Sequence, residues 1–122
     1  MKITMEPIMA NDENLEPAAE IDRLIHEPSR YAIMAVLYVV ESTDFLFLMR
    51  HTGFTGGNLS AHIRKLGGAG YISIEKEFLN NKPHTMIHLT EAGRLAFQQY
   101  RKNMKQALDT LPKLESAGSK DT

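Results

Sequence analysis

Between Thr55 and Ile72 the chain reads TGGNLSAHIRKLGGAGYI, and its polar side chains Asn58, Ser60, His62, Arg64 and Lys65 can all donate hydrogen bonds, with no acid among them. That set suits phosphate and nucleobase edges. Arg64 offers a planar fork for guanine or a phosphate, Lys65 a point charge, and Asn58 an amide that can read adenine. Leu59, Ile63 and Leu66 recur at i, i+4 and i+7, which predicts a helix that buries this edge and leaves the polar residues off it. The charge distribution agrees. Residues 1–30 carry seven acids and three bases, whereas residues 50–88 hold Arg50, Arg64, Lys65, Lys76 and Lys82 against only Glu75 and Glu77. The whole chain is nonetheless at −1. A cationic middle behind an acidic front fits local phosphate binding.

Other chemistries find less support. There is no cysteine, so disulfides, thiolate metal sites and thiol redox sensing are excluded. No GxSxG, phosphate loop or plausible carboxylate pair is present, and Ser60 and His62 are too close on one helix to face each other. An enzyme is not expected, and neither is a cofactor. The histidines, His26, His51, His62, His84 and His88, with Glu27 or Glu91, are the candidate metal ligands, but no pair has HxxxH spacing on one helix. Surface or hydrogen-bonded histidine is the expectation, with no metal site. The seven methionines read as flexible core filler.

The elements that must position these groups follow from the periods. At 122 residues, 43% hydrophobic and 24% charged, the chain suits one ordinary domain. No apolar run reaches the roughly 20 residues that span a bilayer, and the acidic start lacks a signal-peptide core. A cytoplasmic protein with no membrane partner is expected. Residues 1–15 show no period and are expected to be loose. Helical spacing starts near Pro17, with Ile21, Leu24 and Ile25 on one face. Pro28 suits the first position of a second helix, which runs to about Glu41 with Ile33, Val36, Leu37 and Val40 as its stripe. Ala32, Ala35 and Val39 widen that stripe and predict a central, buried helix. Ser42-Thr43-Asp44 breaks the pattern and caps a short helix, Phe45 to Thr52, closed by Gly53. Thr55 then caps the helix that bears the polar set.

After Tyr71 the period becomes 2. Ile72 and Ile74 alternate with Ser73 and Glu75, and Thr85 to Leu89 alternates on the return. The turn formers LNNKPH between them predict a hairpin with a polar, basic tip. Thr90 caps a last helix, in which Phe97, Tyr100, Met104, Ala107 and Leu111 form a heptad seam that Pro112 ends. The class is mainly α with a small β-hairpin, α+β. A short helix joined to the polar helix through Gly53-Phe54-Thr55-Gly56 is a helix-turn-helix, whose second helix enters the major groove.

In order and spacing, RLIHEPSRYAIM, GNLSAHIRKLGGAGYI and HLTEAGR resemble the winged-helix transcriptional regulators of the MarR/ArsR-like kind, from about Ile21 to Leu108. The resemblance implies a winged helix over residues 16–111, with the helix-turn-helix at about 45–69, the wing at about 71–89, a dimerisation helix at about 90–111 and a loose tail over 112–122. It implies a homodimer on a roughly palindromic double-stranded DNA operator; the mechanism expected for such a regulator is a population shift, in which an unknown effector, a small molecule or a partner, favours a dimer with the wrong helix spacing.

The implied DNA contacts are Ser60, Ala61 and Arg64 in the groove, with Asn58 and Lys65 beside them. Thr55 and Gly57 lie at a helix start where bare backbone N–H groups can approach a phosphate. Lys82 and His84 stand on the wing where related proteins usually carry Arg. Those proteins are often basic at the position of Ala61, so fewer bases are read here, or more shape. Leu24, Ile25, Phe97, Tyr100, Met104, Leu108 and Leu111 are the expected dimerisation residues. The competing function is a winged helix used only for protein–protein interaction, which the near-zero net charge favours and the Arg64-Lys65 pair opposes.

Overall fold

The computed structural model describes residues 22–119, with side chains as far as Thr110. They fall into two compact units, Asp22–Gln98 and the described residues from Gln99 onward. In the first unit the elements are α1 (Pro28–Val40), β1 (Ser42–Asp44), α2 (Phe45–Thr52), α3 (Gly56–Gly68), β2 (Ile72–Leu79) and β3 (Lys82–Leu89). The last helix, α4 (Glu91–Ser119), begins in the first unit and belongs to the second from Gln99.

Local chemistry sets most of these boundaries. Pro28 opens α1, and the Glu27 carboxylate accepts from the Arg30 backbone N–H at 2.9 Å. Asp44 caps α2 by accepting from the Phe47 N–H at 2.7 Å, and Gly53 closes it in the left-handed conformation, φ +79°. Thr55 caps α3 through the Asn58 N–H, and Thr90 caps α4 through the Gly93 N–H at 3.0 Å. Each cap satisfies an amide that the helix itself leaves without a partner.

The three strands form one antiparallel sheet in the order β1-β3-β2. The expected hairpin is present, but its loop is shorter than LNNKPH. Leu79 pairs Lys82, and only Asn80 and Asn81 turn, at φ +54° and +62°. Two successive positive φ angles give the type I′ turn that matches strand twist, and asparagine tolerates them. The third strand was not legible: Ser42-Thr43-Asp44 pairs His88, Ile87 and Met86. Three residues are too few to show alternation, and their partners lie more than forty residues away.

The core of the first unit gathers Ile25, Ile33, Met34, Leu37, Leu48, Leu59, Ile63, Leu66, Ile72, Ile87 and Phe97. The Phe97 ring lies against Tyr31 and Tyr38, at centroid distances of 5.4 and 5.2 Å. Three expectations change here. Leu24 and Ile25 stand in a turn, not a helix. The Asp22 carboxylate accepts from both their amides at 2.9 and 3.1 Å, competing with helical pairing, while residues 17–21 lie outside the described residues. The α1 stripe is buried only as far as Leu37; Val39 is 79% exposed and Val40 42%. Pro112 does not end α4, which continues to Ser119 with one amide donor missing at the proline. The segment expected to be loose at the start also lies outside the described residues.

Candidate nucleic-acid interface

The helix-turn-helix is α2, the Gly53–Thr55 turn and α3. Leu59, Ile63 and Leu66 are buried, so the rotation of α3 is fixed by its apolar edge. Asn58, Ser60, Arg64 and Lys65 are exposed on the rest of the helix, and Ala61 is half-buried beside them. Among the described residues no carboxylate pairs with Arg64 or Lys65. Thr55 is exposed but its hydroxyl is engaged by the Asn58 amide. Gly57 is exposed too, and an added Cβ there would meet nothing within 4 Å. Packing therefore does not require glycine at Gly57; its effect is to leave the first turn of α3 bare.

The wing reaches out beside this helix. Lys82 is exposed next to the Asn80-Asn81 turn. His84 sits further into the strand, opposite Glu77, with Nδ1 3.7 Å from the Asp44 carboxylate. It therefore bridges the wing to the cap of α2 and is not a free tip residue. Lys76 was not among the expected contacts. It lines an open groove of about 400 Å³ between α3 and the wing, together with Phe45, Ser60, Ile63, Arg64, Ile74 and Thr85. Its signal was in the alternation: Lys76 continues the face begun by Ile72 and Ile74, which turns toward α3. The groove carries two cations and no carboxylate.

The framework behind α3 is tied by a few polar contacts. Arg30 is almost buried; its Nε donates to the Leu24 carbonyl at 2.7 Å and its Nη1 lies 3.2 Å from His62 Nδ1. The Arg30 amide holds the Glu27 carboxyl below its ordinary value. Tyr71, just after α3, donates its hydroxyl to the Asp22 carboxylate. Burial first, then that carboxylate, pushes the phenol up to about 12.

The expected dimerisation residues do not share one environment. Ile25 and Phe97 are in the chain's own core, Tyr100 is buried, and Leu24 and Met104 are half-buried. Leu108 is 57% exposed, and the Leu111 side chain lies outside the described residues. The histidines are also dispersed. His26 and His51 are exposed, the latter stacked on Phe47; His62 is on α3, and His84 and His88 are on β3. No helix among the described residues is long and apolar enough to cross a membrane.

Residues 29–108 match the family model described as a winged helix DNA-binding domain. An uncharacterised protein of Methanocaldococcus jannaschii is 32% identical over 78 residues, 64% of this chain and 85% of that protein. The structure of a transcriptional regulator homologue from Pyrococcus horikoshii OT3 superposes with a TM-score of 0.74 at 26% identity, covering 79% of this chain and 97% of the other. The transcriptional repressor CouR, solved on a 23-mer DNA duplex, superposes with a TM-score of 0.63 over 98% of this chain and 82% of its own; at 17% identity that likeness is one of fold.

Proposed function

The chain belongs to the winged helix DNA-binding domain family, and from that premise we propose that it is a sequence-specific transcriptional regulator that binds a roughly palindromic operator as a homodimer. The observation that carries this reading is the division of α3 into a buried apolar edge and an exposed edge bearing Asn58, Ser60, Arg64 and Lys65. In the complex α3 lies in the major groove with Ser60, Ala61 and Arg64 toward the bases. Asn58 and Lys65 flank them, and the amides of the first turn, around Thr55 and Gly57, face a phosphate. Lys82 and the His84 side of the wing meet the adjacent minor groove or backbone, and Lys76 adds a phosphate contact from the floor of the groove.

The partner protomer docks along α4, through the half-buried Met104 and the exposed Leu108, with Leu111 next along the seam. A two-fold pair places its two α3 helices about 34 Å apart, one turn of DNA. A small-molecule effector acts by favouring a dimer whose helix spacing does not fit. The CouR complex with DNA supports the mode of binding by analogy of fold.

The test is selection of bound sequences from random duplex DNA, followed by affinity measurements across salt. Lys65, Lys76 and Lys82 on two protomers make up to about six phosphate contacts, so log affinity should fall with log salt at a slope of about −5. A two-fold symmetric motif with half-sites about 10 bp apart is expected. Failure to enrich any motif, together with salt-insensitive or absent binding, would leave the protein-interaction reading in its place.

A further inference from the structure

The face of the wing that points away from the core brings together ligands that are distant in sequence. Ile72 and Ile87 are buried on one face of the hairpin, which Ile74 shares through its pairing with Ile87, so Glu75 and Glu77 of β2 and His88 of β3 share the opposite, outer face. Ser73 pairs His88, which sets the two carboxylates along the strand from the imidazole. His88 Nε2 is 3.0 Å from Glu75 Oε1 and 3.9 Å from Glu77 Oε2, and one ligand atom from each of the three lies within 4.8 Å of the others. We propose that this cluster is a binding site for a divalent first-row transition cation of the zinc class, held by His88 Nε2 and the carboxylates of Glu75 and Glu77.

Geometry and chemistry both favour a cation there. Zinc bonds imidazole nitrogen and carboxylate oxygen at about 2.0–2.2 Å, so donors on a tetrahedral ion stand about 3.3 Å apart. The separations of 3.0 and 3.9 Å bracket that value, and rotation of the exposed Glu75 and half-buried Glu77 side chains closes the difference. Imidazole selects zinc, nickel, copper or iron over calcium and magnesium, which prefer all-oxygen sets.

The platform is rigid where it must be. His88 sits on the central strand, paired with Ser73 on one side and Ser42 on the other. Glu75 and Glu77 carry like charges on one face of one strand, an arrangement a cation relieves. Three protein ligands leave at least one position for water, and the site is open: His88 is 31% exposed. It therefore has the character of an exchangeable site, not a closed structural one. His84 and Asp44 lie on the same face and form a separate pair.

The test uses the untagged full chain, stripped with a chelator and titrated with zinc chloride by calorimetry. One equivalent per chain is expected, and a cobalt(II) titration should give the visible bands of a four-coordinate ion. His88→Gln and Glu75→Gln/Glu77→Gln alter exposed or half-exposed side chains; each is expected to weaken binding at least about tenfold with the circular dichroism unchanged. His84→Gln and His26→Gln are expected to bind as the wild type does. Substoichiometric binding by the wild type, or unchanged binding by His88→Gln, would show that the three residues form an ion-paired surface cluster and overturn the proposal. Neither readout involves DNA, so the result is independent of the proposed regulator function.

Discussion

The Arg30 guanidinium on α1 stands 3.2 Å from Nδ1 of His62 on α3, and so ties the first helix to the helix that carries the exposed polar edge. A guanidinium has donors and no acceptor, so in this contact Arg30 donates and Nδ1 is the acceptor. The same side chain satisfies the Leu24 carbonyl. Arg30→Met keeps the apolar stem and removes both bonds. It should destabilise the protein by about 2 kcal/mol, because a half-buried carbonyl and a ring nitrogen lose their partner. Urea unfolding checks this, and DNA affinity should fall as well although Arg30 is not placed at the DNA. Unchanged stability would show that the contact contributes nothing net.

Gly93 meets Tyr71 across the start of α4. A Cβ at Gly93 would lie 2.1 Å from the Tyr71 carbonyl oxygen, a backbone atom that cannot rotate away. The same carbonyl accepts from the Thr90 N–H at 3.1 Å. Gly93→Ala should therefore cost roughly 3 kcal/mol, at or above the upper end of ordinary overpacking. Gly57→Ala, with open space at its Cβ, should stay within about 1 kcal/mol of wild type. Paired thermal melts decide between the two environments.

Tyr71 gives an alkaline signature. Its phenol is raised from 10.0 to about 12, so the fold favours the neutral form. The stability this contributes is complete below pH 10 and is lost as the pH rises toward 12. Tyr71→Phe removes the bond to Asp22 and should lower stability by about 1–2 kcal/mol at neutral pH. It should also flatten the loss between pH 10 and 12. A variant with the wild-type alkaline profile would assign that loss to other groups.

Lys76 tests whether the groove between α3 and the wing faces DNA. Lys76→Ala should weaken binding to all duplexes by a similar factor and reduce the salt slope by about one per protomer. Arg64→Ala should cost about 1–3 kcal/mol in binding and, where Arg64 reads a base, relax selectivity at one position of each half-site. Lys105→Ala, at an exposed cation on α4 paired with Asp109 at 3.3 Å, should leave affinity unchanged. Equal losses for Lys76 and Lys105 would point to bulk charge alone.

What the sequence determined by itself was the local framework. Pro28, Asp44, Gly53, Thr55 and Thr90 marked helix ends because a cap or a fixed φ acts on neighbours within a few residues. The i, i+4, i+7 spacing of Leu59, Ile63 and Leu66 set which edge of α3 is buried, and with it the exposure of Arg64 and Lys65. The change of period after Tyr71 announced the wing.

Only the tertiary structure decided the rest. β1 exists because residues 42–44 find an open edge of β3 more than forty positions later. Gly93 is needed because Tyr71 passes beneath it. Phe97 and Ile25 went to the chain's own core although their spacing equally suited an interface, since periodicity reports that a face is buried and not what buries it. Arg30 with His62, Lys76 with Arg64, and His88 with Glu75 and Glu77 are each set by strand register or helix packing. A one-residue slip of register would turn every one of the wing side chains to the opposite face.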